Sequence, residues 1–458
     1  MKNILFLLIL ILIISFFFQG KRGLWEPDEG RYAEVAREMI VTKDYLVPKL
    51  NLQPHLSKPP IVYWAIAISI KIFGKNEFAV RLPNSISFLF TVILIFLITK
   101  NLFNYEQAIF SAVIYSTSIF PFIGLNIVTT DTILTFFIWL YIFFYFINKY
   151  YLMSFALGLA FLSKGPPSLL PFLGILAFNI VYNRKLIDIK KILICFFIFF
   201  VTGIIWYILI ILRNPSALDY FIHNELIGRL KGIHHRNSGA FDWLIYFPII
   251  FFGLSPWVFF FYKKRKKIIF NDELRIFYFL IFIPLIVFCF AKSRLPLYVL
   301  PLMPAISIIL SHYINIESNQ IYKIAIITSF FLILLRIMAA YLPYSKNDKQ
   351  IYENLKKYIK EKDYNLNFVT TKVWNGLNFY FNTIPEYLSL KKEKKLNKFS
   401  KKTVLDKIIE IQQTHTKNYF LISDKKKIVA FEKILSLYSK NLKIRKFRAK
   451  RFTIYLIE

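Results

Sequence analysis

A chain of 458 residues is long enough for two or three soluble domains. However, 56% of its residues are hydrophobic and 19% aromatic, and its mean hydropathy is +0.49, which excludes a soluble protein over most of its length. The formal net charge of +32 would point to nucleic acid in a soluble protein; beside long apolar runs it points to membrane topology and anionic headgroups, and no nucleic-acid partner is expected.

Apolar runs of about 17–25 residues are long enough to cross the hydrocarbon core as helices. Taken in chain order, eleven such helices are predicted: 3–19, 83–99, 106–122, 131–148, 151–163, 167–182, 190–212, 243–262, 274–291, 295–312 and 321–342. The first could be a signal peptide, but the residues after Phe16 lack small side chains at cleavage spacing, so an uncleaved helix is expected. The apolar stretch Ile61–Phe73 is short and carries Lys71, which suits an interfacial or re-entrant helix. Cys195 and Cys289 both fall in apolar runs and read as thiols packed in the bundle.

Loop charge supports this count. With Ile61–Phe73 not crossing, the basic loops 183–191 and 262–267 share one side, as cytoplasmic loops should. Lys21 and Arg22 after the first helix oppose this and are outvoted. The segments 19–58, 128–131 and 213–242 and the turns 163–167 and 291–296 then lie together on the external side. Beyond residue 343 the apolar runs shrink to strand length. Strands are predicted near 367–371, 419–423 and 452–457, and amphipathic helices near 351–358, 404–411 and 428–438. The expected organisation is a membrane domain over 1–343 and a small external α/β domain over 344–458. The latter holds 27 basic and 11 acidic residues, and 391–402 reads as a mobile or membrane-facing loop.

Five external constellations could carry chemistry. Asp28 and Glu29 open a helical pattern in which Tyr32, Val35, Ala36, Met39 and Ile40 share one face. The helix is predicted to lie in the membrane interface, with Glu34, Arg37 and Glu38 on a solvated face. Asp28 or Glu29 could deprotonate an acceptor. Lys58, before Pro59 and Pro60, is either a snorkelling cation or a fixed partner for a lipid phosphate. Asp131 in Thr129-Thr130-Asp131-Thr132 is either a helix cap or a second acidic group. The loop from His223 to Gly239 holds Glu225, Arg229, Lys231, His234, His235 and Arg236. It has no ligand spacing for zinc and suits phosphate or sugar hydroxyls better. Arg294 and Tyr298 could bind a phosphate oxygen together, and Lys164 sits in a similar turn, Ser163-Lys164-Gly165-Pro166.

In order, these blocks resemble the GT-C class of lipid-linked-sugar glycosyltransferases, of the protein mannosyltransferase and aminoarabinose transferase type. The similar segments are Asp28-Glu29-Gly30-Arg31-Tyr32-Ala33-Glu34, Lys58-Pro59-Pro60 with Tyr63-Trp64, and Phe73-Gly74 with Arg81-Leu82-Pro83. Asp131, Ser163-Lys164-Gly165-Pro166, His235-Arg236 and Lys292-Ser293-Arg294-Leu295-Pro296-Leu297-Tyr298 follow. The resemblance implies a multi-pass enzyme of the inner membrane that moves a sugar from a polyprenyl-phosphate donor to a lipid, glycan or protein acceptor on the external, periplasmic face. It implies that Asp28 is the catalytic carboxylate, with Glu29 beside it and Asp131 as the second acidic position. Lys58, Arg294, Tyr298 and Arg236 would meet the donor phosphate. Arg31, Tyr32, Glu225, His234, His235 and Lys164 would line the substrate. The family more often has Lys where Arg294 stands, and aminoarabinose transferases are longer than this chain. No cofactor or resident metal is expected, and the sequence leaves divalent-metal dependence open. The alternative functions are a polyprenyl-lipid or oligosaccharide transporter and a non-catalytic assembly factor. Most charges fall in loops and no internal repeat is visible, which weighs against the transporter.

Overall fold

The computed structural model describes residues 2–183, 188–228, 242–265, 271–359, 364–369, 373–390, 402–439 and 442–458. The chain forms two compact units. One contains Met1–Arg22, Asp44–Val47 and Leu56–Leu342; the other contains Gly23–Lys43, Pro48–His55 and Pro343–Glu458.

The first unit is helical. Among the described residues, five helices are long and apolar enough to cross a membrane: Glu77–Leu102, Ile189–Arg213, Asp272–Phe290, Pro296–Tyr313 and Ser318–Tyr341. Two bent pairs also pass as single spans: Tyr105–Thr117 with Ile119–Asn126, bent by 58°, and Trp243–Gly253 with Trp257–Lys264, bent by 80°. The other four expected spans coincide with the shorter helices Lys2–Phe16, Thr130–Phe146 and Tyr150–Lys164 and the apolar run Pro166–Tyr182. Ile61–Phe73 is a separate 13-residue helix. Both thiols are half-buried rather than enclosed.

Boundaries follow local chemistry. Asn76 and Asn104 open their helices by accepting from Ala79 N and Gln107 N, satisfying donors that a helix start leaves orphaned. The core is a continuous apolar cluster that includes Trp139, Tyr141, Trp257 and Phe277. Two indoles inside it find partners: Trp139 Nε1 donates to Pro301 O at 3.0 Å, and Trp257 Nε1 to Thr117 Oγ1 at 2.8 Å. Gly158 and Gly203 let two helices touch backbone to backbone, the small-residue packing typical of membrane bundles.

Arginines form a buried group in the same unit. Arg81 donates to the carbonyls of Gln19 and Arg22, and Arg22 to that of Asn126. Arg336 donates to Phe17 O and Asn126 Oδ1. Several of these carbonyls lie just beyond the C-terminal end of Lys2–Phe16, where helix-end carbonyls attract cations.

The second unit is an α/β layer. Strands β1 (Lys49–Leu50) and β2 (Gln53–Pro54) form a small hairpin. Strands β3 (Asn365–Phe368), β4 (Glu386–Ser389), β5 (Lys402–Thr403), β6 (Asn418–Ile422), β7 (Ile444–Arg448) and β8 (Thr453–Ile457) form one sheet in the order β5-β4-β3-β6-β8-β7. Pairing is parallel from β5 to β6 and antiparallel from β6 to β7. β6 and β8 are buried throughout, as expected of central strands covered on both faces. Helices Asp348–Lys356, Val404–Thr414 and Lys425–Tyr438 match the three amphipathic patterns. Most of the basic stretch 391–402 lies outside the described residues.

The structure corrects the expectation of a solvated face on helix Asp28–Thr42. Glu34, Arg37 and Glu38 are buried, with exposures of 0%, 4% and 0%. The helix belongs to the second unit. Arg37 forms a two-point bond to Glu34 at 2.8 and 2.7 Å and also donates to Thr383 O. Glu38 accepts from the backbone N–H groups of Asn51 and Leu52 at 2.6 and 2.9 Å. Burial holds its carboxyl above the usual carboxylate range, although both N–H groups pull the other way. Gly30 meets Gly376 where any side chain would collide. Each polar group on the supposedly wet face thus has a partner within its own unit.

Candidate active site

The first candidate group lies in the second unit, at the start of helix Asp28–Thr42. Two carboxylates in the first turn favour that start, because they face the positive end of the helix. Asp28 is 44% exposed and pairs with Arg31 at 2.5 Å. Glu29 is buried and accepts from Trp25 N at 3.0 Å. Neighbouring carboxylates thus have different surroundings: Asp28 faces solvent, and Glu29 ties the preceding loop. Tyr32 is buried, with the Arg31 guanidinium 5.7 Å from its ring. Glu26, which no sequence pattern singles out, is also buried and accepts from Gly376 N at 3.0 Å.

The second group lies in the first unit and is assembled by a helical hairpin. Thr129 caps helix Thr130–Phe146 by accepting from Asp131 N at 3.3 Å. The cap is therefore Thr129, which leaves the Asp131 carboxylate available for a different partner. Helix Tyr150–Lys164 returns alongside and ends at Gly165, whose φ of 74° takes the left-handed conformation that glycine accommodates. The start of one helix thereby meets the end of the other. Lys164 Nζ donates to Asp131 Oδ1. Both side chains are nearly dry, at 5% and 8% exposure. Each charge sits at the helix end whose dipole favours it. Lys164 also lies over the Tyr298 ring, 4.1 Å from its centroid.

Tyr298 stands on the tightly wound helix Pro296–Leu302, a few residues after Arg294. Arg294 donates through Nη2 to Cys289 O at 3.0 Å. Its Nε is buried, with no acceptor among the described residues. Lys58 is half-buried before the buried prolines that open helix Ile61–Phe73. In the same unit, Trp64 Nε1 and Trp206 Nε1 donate to the carbonyls of Tyr45 and Leu46. Glu225 accepts from Tyr220 Oη at 3.3 Å. His234, His235 and Arg236 lie outside the described residues, as do Arg229 and Lys231.

The structure therefore brings Asp131, Lys164 and Tyr298 together, and Asp28 with Arg31. Spacing alone does not predict the first of these clusters, since Lys164 is 33 residues from Asp131 and Tyr298 lies far beyond both. Arg336 is a further residue that the external motifs do not include. A single arginine inside the apolar run 318–341 is nevertheless a readable signal, because charge within a membrane helix needs a partner.

The long apolar helices make the first unit a multi-pass membrane domain, and it encloses a dry carboxylate–lysine–tyrosine cluster. Residues 57–206 match the family of dolichyl-phosphate-mannose-protein mannosyltransferases. The chain is 30% identical over 348 residues to an uncharacterized protein of Aquifex aeolicus, covering 75% of this chain and 80% of that one. It is 32% identical over 324 residues to the undecaprenyl phosphate-alpha-4-amino-4-deoxy-L-arabinose arabinosyl transferase of Wigglesworthia glossinidia brevipalpis. That match covers 65% of this chain and 55% of the relative, so the chain spans about half of that transferase's length. In fold it is similar to ArnT from Cupriavidus metallidurans, crystallised bound to undecaprenyl phosphate. The TM-score is 0.78 at 16% identity, covering 99% of this chain and 97% of that one. In sequence the chain is thus similar to lipid-linked-sugar glycosyltransferases of the mannosyltransferase and aminoarabinose transferase type.

Proposed function

We propose that this protein transfers a sugar from a polyprenyl-phosphate donor to an acceptor on the external face of the inner membrane, with eleven helical crossings. The acceptor is a lipid A-like glycolipid, another glycan or a protein. The observation that carries the reading is the dry cationic corner of the membrane unit. There Lys164 is held between Asp131 and Tyr298, and the buried Nε–H of Arg294 lacks an acceptor among the described residues. Such donors suit an anion that arrives with the substrate.

The chemistry balances without a cofactor. The acceptor oxygen attacks the anomeric carbon, and the bond from that carbon to the phosphate oxygen breaks. The polyprenyl phosphate leaves with the electron pair. Its growing charge is met by Lys58, Arg294 and Arg236, so no general acid is required. A hydroxyl acceptor loses its proton to Asp28, the solvent-facing carboxylate. A phosphate acceptor is already anionic, and Asp28 then orients it. Glu29 holds the loop that presents Asp28. Arg31 and Tyr32 on the helix face, Glu225, and His234 and His235 in the external loop contact the sugar or the acceptor. Donor phosphate competes with Asp131 for Lys164, so donor binding frees the second carboxylate.

The test uses the purified full chain with an undecaprenyl-phosphate-linked amino sugar and lipid A. Asp28→Asn is expected to lower transfer by about 10²–10⁴-fold, the usual worth of a positioned base. Wild-type rates in both Asp28→Asn and Asp131→Asn would overturn the assignment.

A further inference from the structure

The second unit contains a cleft that the transfer chemistry does not use. It has a volume of about 360 Å³ and lies between Pro343–Ser345, one face of helix Asp348–Lys356 and the β7–β8 turn. That is large enough for a ligand rather than a solvent defect. Its floor is apolar, made by Ile351, Leu355 and Phe452. Its rim is cationic: Lys450 and Arg451 are exposed, and none of the lining residues among those described is acidic.

Arg451 is fixed in place. Its guanidinium lies 4.5 Å from the centre of the Trp374 ring and donates through Nη1 to Ser345 O. A planar fork held this way presents its remaining donors at low entropic cost. Gln350 and Asn354, one turn apart on the helix, add amides to the same wall.

Chain length places the cleft near the bilayer. The apolar helix Ser318–Tyr341 ends two residues before Pro343. At about 3.5 Å per residue, Tyr344 lies within roughly 10 Å of the helix end. The headgroup layer on each side of a bilayer is about 5–7 Å thick. Tyr344, exposed and with its ring centre 4.6 Å from that of Trp25, is the residue type that gathers at that depth.

We propose that this cleft seats the phosphate headgroup of an anionic membrane lipid, with Lys450 and Arg451 on the phosphate and the apolar floor under the first acyl carbons. A free anion would need the cations but not that floor. The inference stands apart from the proposed transfer reaction.

The test places the full chain in nanodiscs with a phosphatidylglycerol analogue carrying a photoactivatable group near its headgroup, followed by peptide mapping. Labelling is expected on 343–355 and 449–452. Lys450→Gln, at an exposed position that leaves packing intact, should lower it about fivefold, and Lys450→Glu further. Equal labelling of these peptides by a phosphatidylcholine analogue, or no change in Lys450→Glu, would overturn the proposal. So would loss of the label to millimolar inorganic phosphate, which would reveal a site for a soluble anion.

Discussion

Lys164→Met should expose how tightly the Asp131 cluster is coupled. The lysine and aspartate side chains are only 5% and 8% exposed, so the substitution strands a carboxylate in a nearly dry site. Removing one partner of a buried ion pair costs about 3–5 kcal/mol. Asp131→Asn should cost less, because Lys164 keeps the Tyr298 ring 4.1 Å away, and a desolvated cation on an aromatic face recovers about 0.5–2 kcal/mol. The double variant should be no worse than Lys164→Met alone, since it strands no charge. Reversible unfolding of the purified full chain, followed by tryptophan fluorescence, measures all three differences. Additive effects of the two substitutions would refute the pairing. Transfer activity then separates stability from chemistry. The double variant should remain inactive although its fold is restored; wild-type transfer by it would remove Asp131 from the reaction.

Other expectations follow from single contacts. Arg37→Met breaks the two-point bond to Glu34 inside the second unit and should destabilise that unit by about 3–5 kcal/mol; limited proteolysis of the full chain would show it, and unchanged resistance would contradict the burial of this pair. Gly158→Ala forces a methyl onto Thr202 and should cost about 1–3 kcal/mol by overpacking, read as a lower melting temperature in detergent. The Glu432 carboxyl is held below the usual range by Lys446 and then by the Tyr455 hydroxyl. A depressed carboxylate contributes stability above its unfolded value and loses it as pH falls through the folded one. The wild-type advantage over Glu432→Gln should therefore be constant near neutral pH and vanish in acid, as followed by melting against pH.

Much of the architecture is legible in the amino-acid sequence. Each of the eleven apolar runs coincides with a helix or a bent helix pair, because apolar length acts on each segment separately. The cap at Thr129-Thr130-Asp131 is readable because its bond spans only two residues, whereas helix Glu77–Leu102 starts six residues before the predicted 83, since Asn76 caps a polar first turn that apolar length does not register. The shift to strand-length apolar runs after residue 343 also announces the α/β unit, although it does not reveal β4, β5 and β7. These are short or edge strands, and their pairing depends on distant neighbours.

Only the tertiary structure decided what the charged residues do. Periodicity reads Glu34, Arg37 and Glu38 as a wet face, because their burial comes from chain far away, including Thr383 and the Gly376 that packs on Gly30. It offers Asp131 as a cap or an acid, but not Lys164 as its partner, since that pairing exists only when the hairpin closes. The basic balance divides in the same way. Sequence determined that the chain is a membrane protein with a basic terminal domain. Packing determined which cations are bonded to carbonyls, which are paired with carboxylates, and which stand at the rim of an open cleft. Composition and periodicity act over a few residues, whereas the partners of a buried charge are set by contacts between residues far apart in the chain.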